Sequence, residues 1–161
     1  DVHHGNGTQH AFEQDGDFFF ASSHQFPFYP GTGDAREVGR GNVHNAPLPA
    51  AAGSEAFRAA WQSQLLPALA AFKPDLIIIS AGFDAHRDDP LAEIQLDDDD
   101  YVWITREIMA IAADSAGGRL ISSLEGGYDL AALGRSVAAH VTTLMANPSG
   151  AGSQAGDPAL T

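Results

Sequence analysis

Leu76-Ile77-Ile78-Ile79-Ser80 runs without a polar break and empties into Ala81-Gly82-Phe83-Asp84-Ala85-His86-Arg87-Asp88-Asp89-Pro90. A short apolar run closed by Lys73-Pro74-Asp75 in front and a glycine turn behind reads as a strand of the kind covered on both faces in a parallel sheet. Upstream, Phe57, Trp61, Leu65, Leu69 and Phe72 recur at spacings of four, four, four and three. They lay one apolar stripe along a helix with Ser54 as N-cap and Pro67 as a place for a kink. Downstream, Asp97 to Asp100 open a second helix that runs to about Ala116, its acidic first turn suited to the positive end of the helix dipole. The glycine and ligand spacing of a calcium loop are absent from that run.

Gly117-Gly118 stop the helix, and Arg119 to Leu124 read as another strand, ending in Glu125-Gly126-Gly127-Tyr128-Asp129. A last helix over about 130–146 packs Leu133, Val137, Val141 and Leu144 inward, carries His140 as a partly buried structural histidine, and stops at Asn147-Pro148. Near the start, 8–14 forms a short helical piece with Ala11 and Phe12 inward, and 18–22 a buried strand. From Gln25 to Pro49 no period survives, so a long functional loop is expected. Alternating strands and helices predict an α/β fold, a parallel sheet with helices on both faces. Sites in such sheets gather beyond the carboxyl ends of the strands. Asp1 with His3, Asp84, and Gly126-Gly127-Tyr128 all fall there.

With 161 residues, 44% of them hydrophobic, the chain supports one compact domain, taken as 1–147, followed by a flexible Gly/Ser/Ala/Pro tail at 148–161. A formal charge of -13, from 21 acidic and 8 basic side chains, argues against direct contact with nucleic acid or an anionic membrane. No cysteine is present, so any metal is held by histidine and carboxylates. The longest apolar run is far too short to span a bilayer and no leader opens the chain, so a soluble, cytoplasmic protein is expected. The chain opens without Met inside a motif, as the C-terminal part of something longer would.

That motif is Asp1-Val2-His3-His4-Gly5-Asn6-Gly7. At a strand end Asp1 and His3 point the same way while Val2 points inward, and Gly5 and Gly7 let the backbone turn close by. Alone, this is either half of a metal site or a polar glycine-rich loop. Joined by Asp84, it offers two carboxylates and one imidazole, a three-ligand set that leaves a zinc position open for water and a substrate carbonyl. Tyr128, after two glycines, is either the oxyanion donor such a reaction needs or an ordinary strand-end aromatic.

Asp-Val-His-His-Gly-Asn-Gly, Tyr-Pro-Gly-Thr-Gly, Ser-Ala-Gly-Phe-Asp-Ala-His and Leu-Glu-Gly-Gly-Tyr-Asp occur in that order. From Asp1 to about Ala146 the chain resembles the C-terminal half of the zinc-dependent deacetylases, a family of histone deacetylases, acetylpolyamine amidohydrolases and acetoin-utilisation proteins. The Gly-Phe-Asp-Ala-His variant is most similar to the bacterial branch allied with class II. The resemblance implies part of an arginase-deacetylase three-layer sandwich and hydrolysis of acetyl-lysine, in peptide or protein, or of acetylpolyamine. It implies one zinc on Asp1, His3 and Asp84, with Tyr128 as oxyanion donor and Gly126 and Gly127 beside the substrate. Phe28 and Tyr29 correspond to one wall of the acyl-lysine tunnel, Tyr29 being the expected contact.

The family also binds potassium or sodium beneath the zinc, at the positions of Asp1, His3, Ser22 and Ser23. A second such site would draw backbone oxygens from Phe12, Asp15 and Phe18. Asn6 matches a position that orients a catalytic histidine. The family's adjacent pair of acid/base histidines would lie before Asp1, and His4, His24, His44 and His86 do not match it, so the 161 residues alone are expected to be inactive. Two rival readings stay open. An arginase-like ureohydrolase with two manganese ions keeps the Asp84, Asp89, Pro90 spacing, but His86 replaces its bridging carboxylate. A non-catalytic acyl-lysine binder would retain the fold, yet Asp1, His3, Asp84 and Tyr128 are all present. Oligomeric state is not legible.

Overall fold

The computed structural model describes residues 1–146; the expected tail at 148–161 and the Asn147-Pro148 stop lie outside the described residues. The order is α1 (Asn6–Phe12), β1 (Phe20–Gln25), β2 (Val43–Leu48), α2 (Ser54–Ala60), a π-helical turn (Trp61–Leu65), α3 (Leu66–Phe72), β3 (Ile77–Ala81), α4 (Asp98–Ser115), β4 (Leu120–Leu124) and α5 (Leu130–Met145). β1 pairs with β2 from Phe20↔Val43 to Gln25↔Leu48, and β3 with β4 from Ile77↔Leu120 to Ala81↔Leu124, both in parallel. Parallel pairs need long crossovers, supplied here by the 26–42 segment and by α4. No helix among the described residues is long and apolar enough to cross a membrane.

The α/β architecture with parallel strands is as expected, but among the described residues the strands form two two-stranded sheets, not one. The opening residues join them: Asp1 N donates to Gly82 O at 3.2 Å and Gln25 N donates to Val2 O at 2.9 Å. Residues 1 and 2 therefore lie between the carboxyl ends of β1 and β3. Val2, 1% exposed, plugs into a core with Leu48, Phe57, Ala81, Phe83, Ile94 and Tyr101.

Several sequence expectations are corrected. β2 arises inside the stretch read as loop, and β1 begins two residues later than Phe18. The buried positions of β2 include Asn45, and His44 and Pro47 are half-buried, so no apolar alternation marks it. α1 buries Gln9 and leaves Ala11 exposed, because that face meets a polar network. β3 is covered on one face only by the described residues: Ile77 is buried with Leu66, Leu69, Ile108 and Ala112, whereas Ile78 is 64% exposed, as are Ile121 and Leu124 of β4 by more than half.

The long helix after Gly53 is capped by Gly53 itself, and Ser54 instead donates to Asp100 Oδ2 at 2.6 Å. Its irregularity lies just before Pro67, where Leu66 N reaches Trp61 O across a π turn. Proline has no N–H to bond four residues back, so an extra residue in the preceding turn costs little there. α5 buries Ala132, Ser136, His140 and Thr143; Leu133, Val137 and Leu144 are half-buried and Val141 is exposed. Small and polar residues bring α5 against α4: Ser136 Oγ donates to Asp98 Oδ1 at 2.5 Å, and His140 contacts Thr105 Oγ1 at 2.7 Å and Ser122 Oγ at 2.9 Å. His140 is thus the structural histidine expected. The four-Asp run is a helix start, with a capping box between Asp97 and Asp100 and Asp100 accepting from Arg58 Nε at 2.7 Å.

Candidate metal centre

Asp1, His3 and Asp84 come together although the last is 81 residues beyond His3, and their ligand atoms lie within 4.8 Å of one another. They are the only such group among the described residues. His3 Nδ1 is 3.0 Å from Asp1 Oδ1 and 3.2 Å from Asp84 Oδ2. Each carboxylate is held by backbone amides: Asp84 Oδ1 accepts from Val2 N at 2.7 Å, Asp1 Oδ1 from His3 N at 2.7 Å and Asp1 Oδ2 from Gly126 N at 3.0 Å. Asp84 is 1% exposed, yet its Oδ2 has no hydrogen-bond partner among the described residues; the nearby imidazole nitrogen is close without being aligned. A buried carboxylate oxygen left bare costs free energy unless a cation takes it up. The donor set therefore fits one divalent ion with an open coordination position.

Glycines are needed here for space. A Cβ on Gly82 would overlap Asp1, and one on Gly126 would overlap both Asp84 and Asp1. Gly126 also accepts from Phe83 N at 2.8 Å, tying the Gly-Gly-Tyr turn to the Asp84 turn. The next residues are held by Asp89, which is 7% exposed: its Oδ2 accepts from Tyr128 N at 2.7 Å and Asp129 N at 3.3 Å. Its Oδ1 accepts from Leu91 N at 3.0 Å. Sequence reasoning notices Asp89 only as an arginase-like spacing and misses this role; an Asp before Pro at a turn is the available signal. Tyr128 is 52% exposed.

Phe28 stacks on His3 with ring centroids 5.5 Å apart, and Tyr29, 76% exposed, meets the same imidazole edge-on at 6.1 Å. Both expected wall residues reach the centre, with Phe28 the nearer. Their loop is fastened from below by a polar network that the sequence does not reveal. Glu37 accepts from Gly33 N, Asp34 N and Gln9 Nε2 at 2.7–3.1 Å. Gln9 Oε1 accepts from His4 Nε2 and Asn45 Nδ2, both at 2.8 Å, which leaves His4 Nδ1 to accept from Thr32 Oγ1. Burial would raise the Glu37 carboxyl, but the hydrogen bonds from Gln9 and the two amides hold it below its ordinary value.

His24, 1% exposed, donates from Nε2 to Gly33 O at 2.9 Å while Nδ1 faces Ser22 Oγ at 2.9 Å. Burial pushes its pKa down to about 4, against the Gly33 carbonyl, which favours the proton. Gly33 has φ +94, and a Cβ there would overlap His24 and His4. Ser23 Oγ accepts from Trp61 Nε1 at 3.0 Å. A cavity of about 110 Å³ between the sheets is lined by Asp1, Ser23 and Ile79 among others. Asn6 opens α1 on the surface. The carbonyls of Phe12, Asp15 and Phe18 do converge, on Asn42 Nδ2. His86 faces Asp88 and Asp98, at 3.7 and 3.6 Å, not the Asp1, His3, Asp84 group, so it supplies no second-metal ligand of an arginase-like site there.

Known proteins similar to this chain include histone deacetylases and a deacetylase-like amidohydrolase. The histone deacetylase domain family matches residues 1–144. Histone deacetylase 10, chloroplastic, of Oryza sativa subsp. japonica is 45% identical over 99% of this chain and 37% of its own length. The histone deacetylase-like amidohydrolase of Pseudomonas aeruginosa is 43% identical over 80% of this chain and 35% of its own. Among solved structures, the HD domain of HDA15 superposes with a TM-score of 0.80 at 39% identity, covering 90% of this chain and 42% of that one. The histone deacetylase Clr3 gives 0.85 at 36%, covering 92% and 26%. The chain thus spans between 26% and 42% of these relatives, and over that span it belongs to the histone deacetylase family.

Proposed function

We propose that the complete protein carrying this chain hydrolyses acyl amides, removing acetyl groups from lysine in peptides or proteins or from acetylated polyamines, at one zinc ion held by Asp1, His3 and Asp84. The observation that carries the reading is Asp84 Oδ2, buried, bare and beside an imidazole nitrogen and a second carboxylate. Bound there, zinc supplies a Lewis acid for the scissile carbonyl and lowers the pKa of its water toward ~7.

The chain's own residues do the rest. Amides of Val2, His3 and Gly126 fix the carboxylates before any ion arrives, so little reorganisation is left to binding. Phe28 and Tyr29 form an aromatic wall beside His3 for the aliphatic stem of the substrate. Gly126 and Gly127 let the acyl group approach, and the Tyr128 hydroxyl donates to the oxyanion as it develops. The proton-carrying histidine pair is assigned to residues preceding Asp1, and the isolated 161 residues are assigned no activity. A potassium or sodium ion near Asp1, His3, Ser22 and Ser23, and a cytoplasmic location, belong to the same proposal.

The test is acetate release from an acetyl-lysine peptide by the complete zinc-loaded protein, beside Tyr128→Phe, with acetylspermidine as a second substrate. Turnover by wild type and a loss of about 10²–10³-fold in the variant at unchanged zinc content is the expected result. Absence of turnover on both substrates, with zinc bound, would overturn the reading.

A further inference from the structure

Phe12 O, Asp15 O and Phe18 O, from the segment that joins α1 to β1, all point at one atom: Asn42 Nδ2, at 3.0, 2.9 and 3.0 Å. Converging backbone carbonyls with no charge among them make a hard-cation cage, and the family resemblance implies a potassium or sodium ion between these oxygens. The residues present do not fit that ion. The focus of the carbonyls is already filled by a nitrogen whose two N–H groups, one shared between two acceptors, satisfy all three oxygens.

The orientation of the amide is fixed at both ends. Asn42 Oδ1 accepts from Arg40 N at 3.0 Å, so a flipped amide would set an oxygen against three carbonyls and an NH2 against an N–H. The surroundings are tight as well. Asn42 is 7% exposed, and Gly39, at φ +54, sits where a Cβ would overlap Glu13 O, Asn42 Oδ1 and Val43. The rings of Phe12 and Phe18 stack over the segment at 4.1 Å. Asn42 O in turn accepts from Phe20 N at 2.9 Å, so the same residue secures the first residue of β1.

We propose that Asn42 is a built-in substitute for the second monovalent cation: its side-chain amide occupies the carbonyl cage and ties the α1–β1 segment to β2 without an ion. The assignment is independent of the reaction proposed above, because it concerns a cage on another part of the chain and its test reads ion position and melting, not turnover. Asn42→Ala empties the cage while keeping the carbonyls, and the variant then recruits potassium.

The experiment is a pair of crystal structures of the complete protein, wild type and Asn42→Ala, each in thallium(I) salts, with anomalous maps locating the ion. Melting temperatures in potassium chloride and in N-methylglucamine chloride of equal ionic strength accompany them. Expected are no thallium peak between the Phe12, Asp15 and Phe18 carbonyls in wild type, a peak there in Asn42→Ala, and a potassium-dependent rise in melting temperature for the variant beyond that of wild type. Asn42→Ser, smaller and still polar, serves in the same way if the alanine variant does not fold. A thallium peak at the cage in wild type, with the Asn42 side chain displaced, would overturn the proposal, and so would an empty cage in both proteins.

Discussion

Two places in this molecule gather oxygen atoms around a point, and they solve the problem differently. At the Asp1, His3, Asp84 cluster the chain leaves a buried carboxylate oxygen bare. At the cage of Phe12, Asp15 and Phe18 it meets the carbonyls with its own Asn42 amide. A bare buried acceptor costs roughly 1–3 kcal/mol and more when charged, so the Asp84 carboxylate oxygen calls for a cation in a way that the neutral Asn45 Oδ1 and Tyr101 hydroxyl, bare as well among the described residues, do not. On the two proposals above, Asp84 marks a place for a ligand, whereas the carbonyls around Asn42 already have a donor.

The sharpest way to break the contrast is Asp84→Asn. Zinc content should fall from about one per chain to near zero, with turnover lost beyond the roughly 10²–10³-fold expected for an oxyanion donor. The metal-free variant should be no less stable than metal-free wild type, because an amide can donate where the bare oxygen could not. Equilibrium melts of both apo-proteins, with metal analysis, check it. A variant that keeps zinc, or whose apo-form is strongly destabilised, would show that Asp84 serves the fold.

Asp89 probes how far the preorganisation extends. Asp89→Ala leaves the Tyr128 and Asp129 amides unmet and loosens the Gly-Gly-Tyr turn, so kcat should fall about 10–100-fold at constant zinc content and nearly constant KM. Asp89→Asn, which keeps one acceptor oxygen for the Tyr128 and Asp129 amides but turns its NH2 toward Leu91 N, should recover part of the loss. Equal loss in both variants would point to charge and remove the positioning argument.

The smallest effect is in pH. His24 has its folded pKa depressed by burial to about 4, below the ordinary 6.5, and His140 is lowered by burial in the same sense. The unfolded chain therefore takes up these protons first on acidification. Their contribution to stability is complete above about pH 6.5 and is lost as pH falls through that value toward 4. Unfolding free energies of the complete protein between pH 4 and 8 should show the slope, and His24→Asn should flatten it. An unchanged slope would mean that other groups carry the acid sensitivity.

Much of the site is legible in the residue types alone. Asp-x-His in the opening segment, which forms no strand of its own, and an Asp after Ala-Gly-Phe carry their chemistry in their side chains, and the glycines announce close approach; the overlaps a Cβ would make at Gly82 and Gly126 are the reason. Other parts are not legible. β2 is hidden because its buried positions hold Asn45, whose amide bonds Gln9 across the fold, so the strand lacks the apolar alternation that sequence reading relies on. Gln9, Glu37 and Asn42 look like surface polar residues because hydrogen-bonded burial leaves no mark in sequence.

By itself, then, the sequence determined the α/β rhythm, the three metal-ligand candidates and the turns that carry them, since periodicity and side-chain chemistry are local properties. Tertiary structure alone decided that Asp84 Oδ2 is bare, that Asp89 holds the Tyr128 turn and that Asn42, 24 to 30 residues beyond the carbonyls it meets, fills their cage. Whether a polar atom is satisfied depends on neighbours brought together from distant parts of the chain, and only the folded backbone fixes which those are.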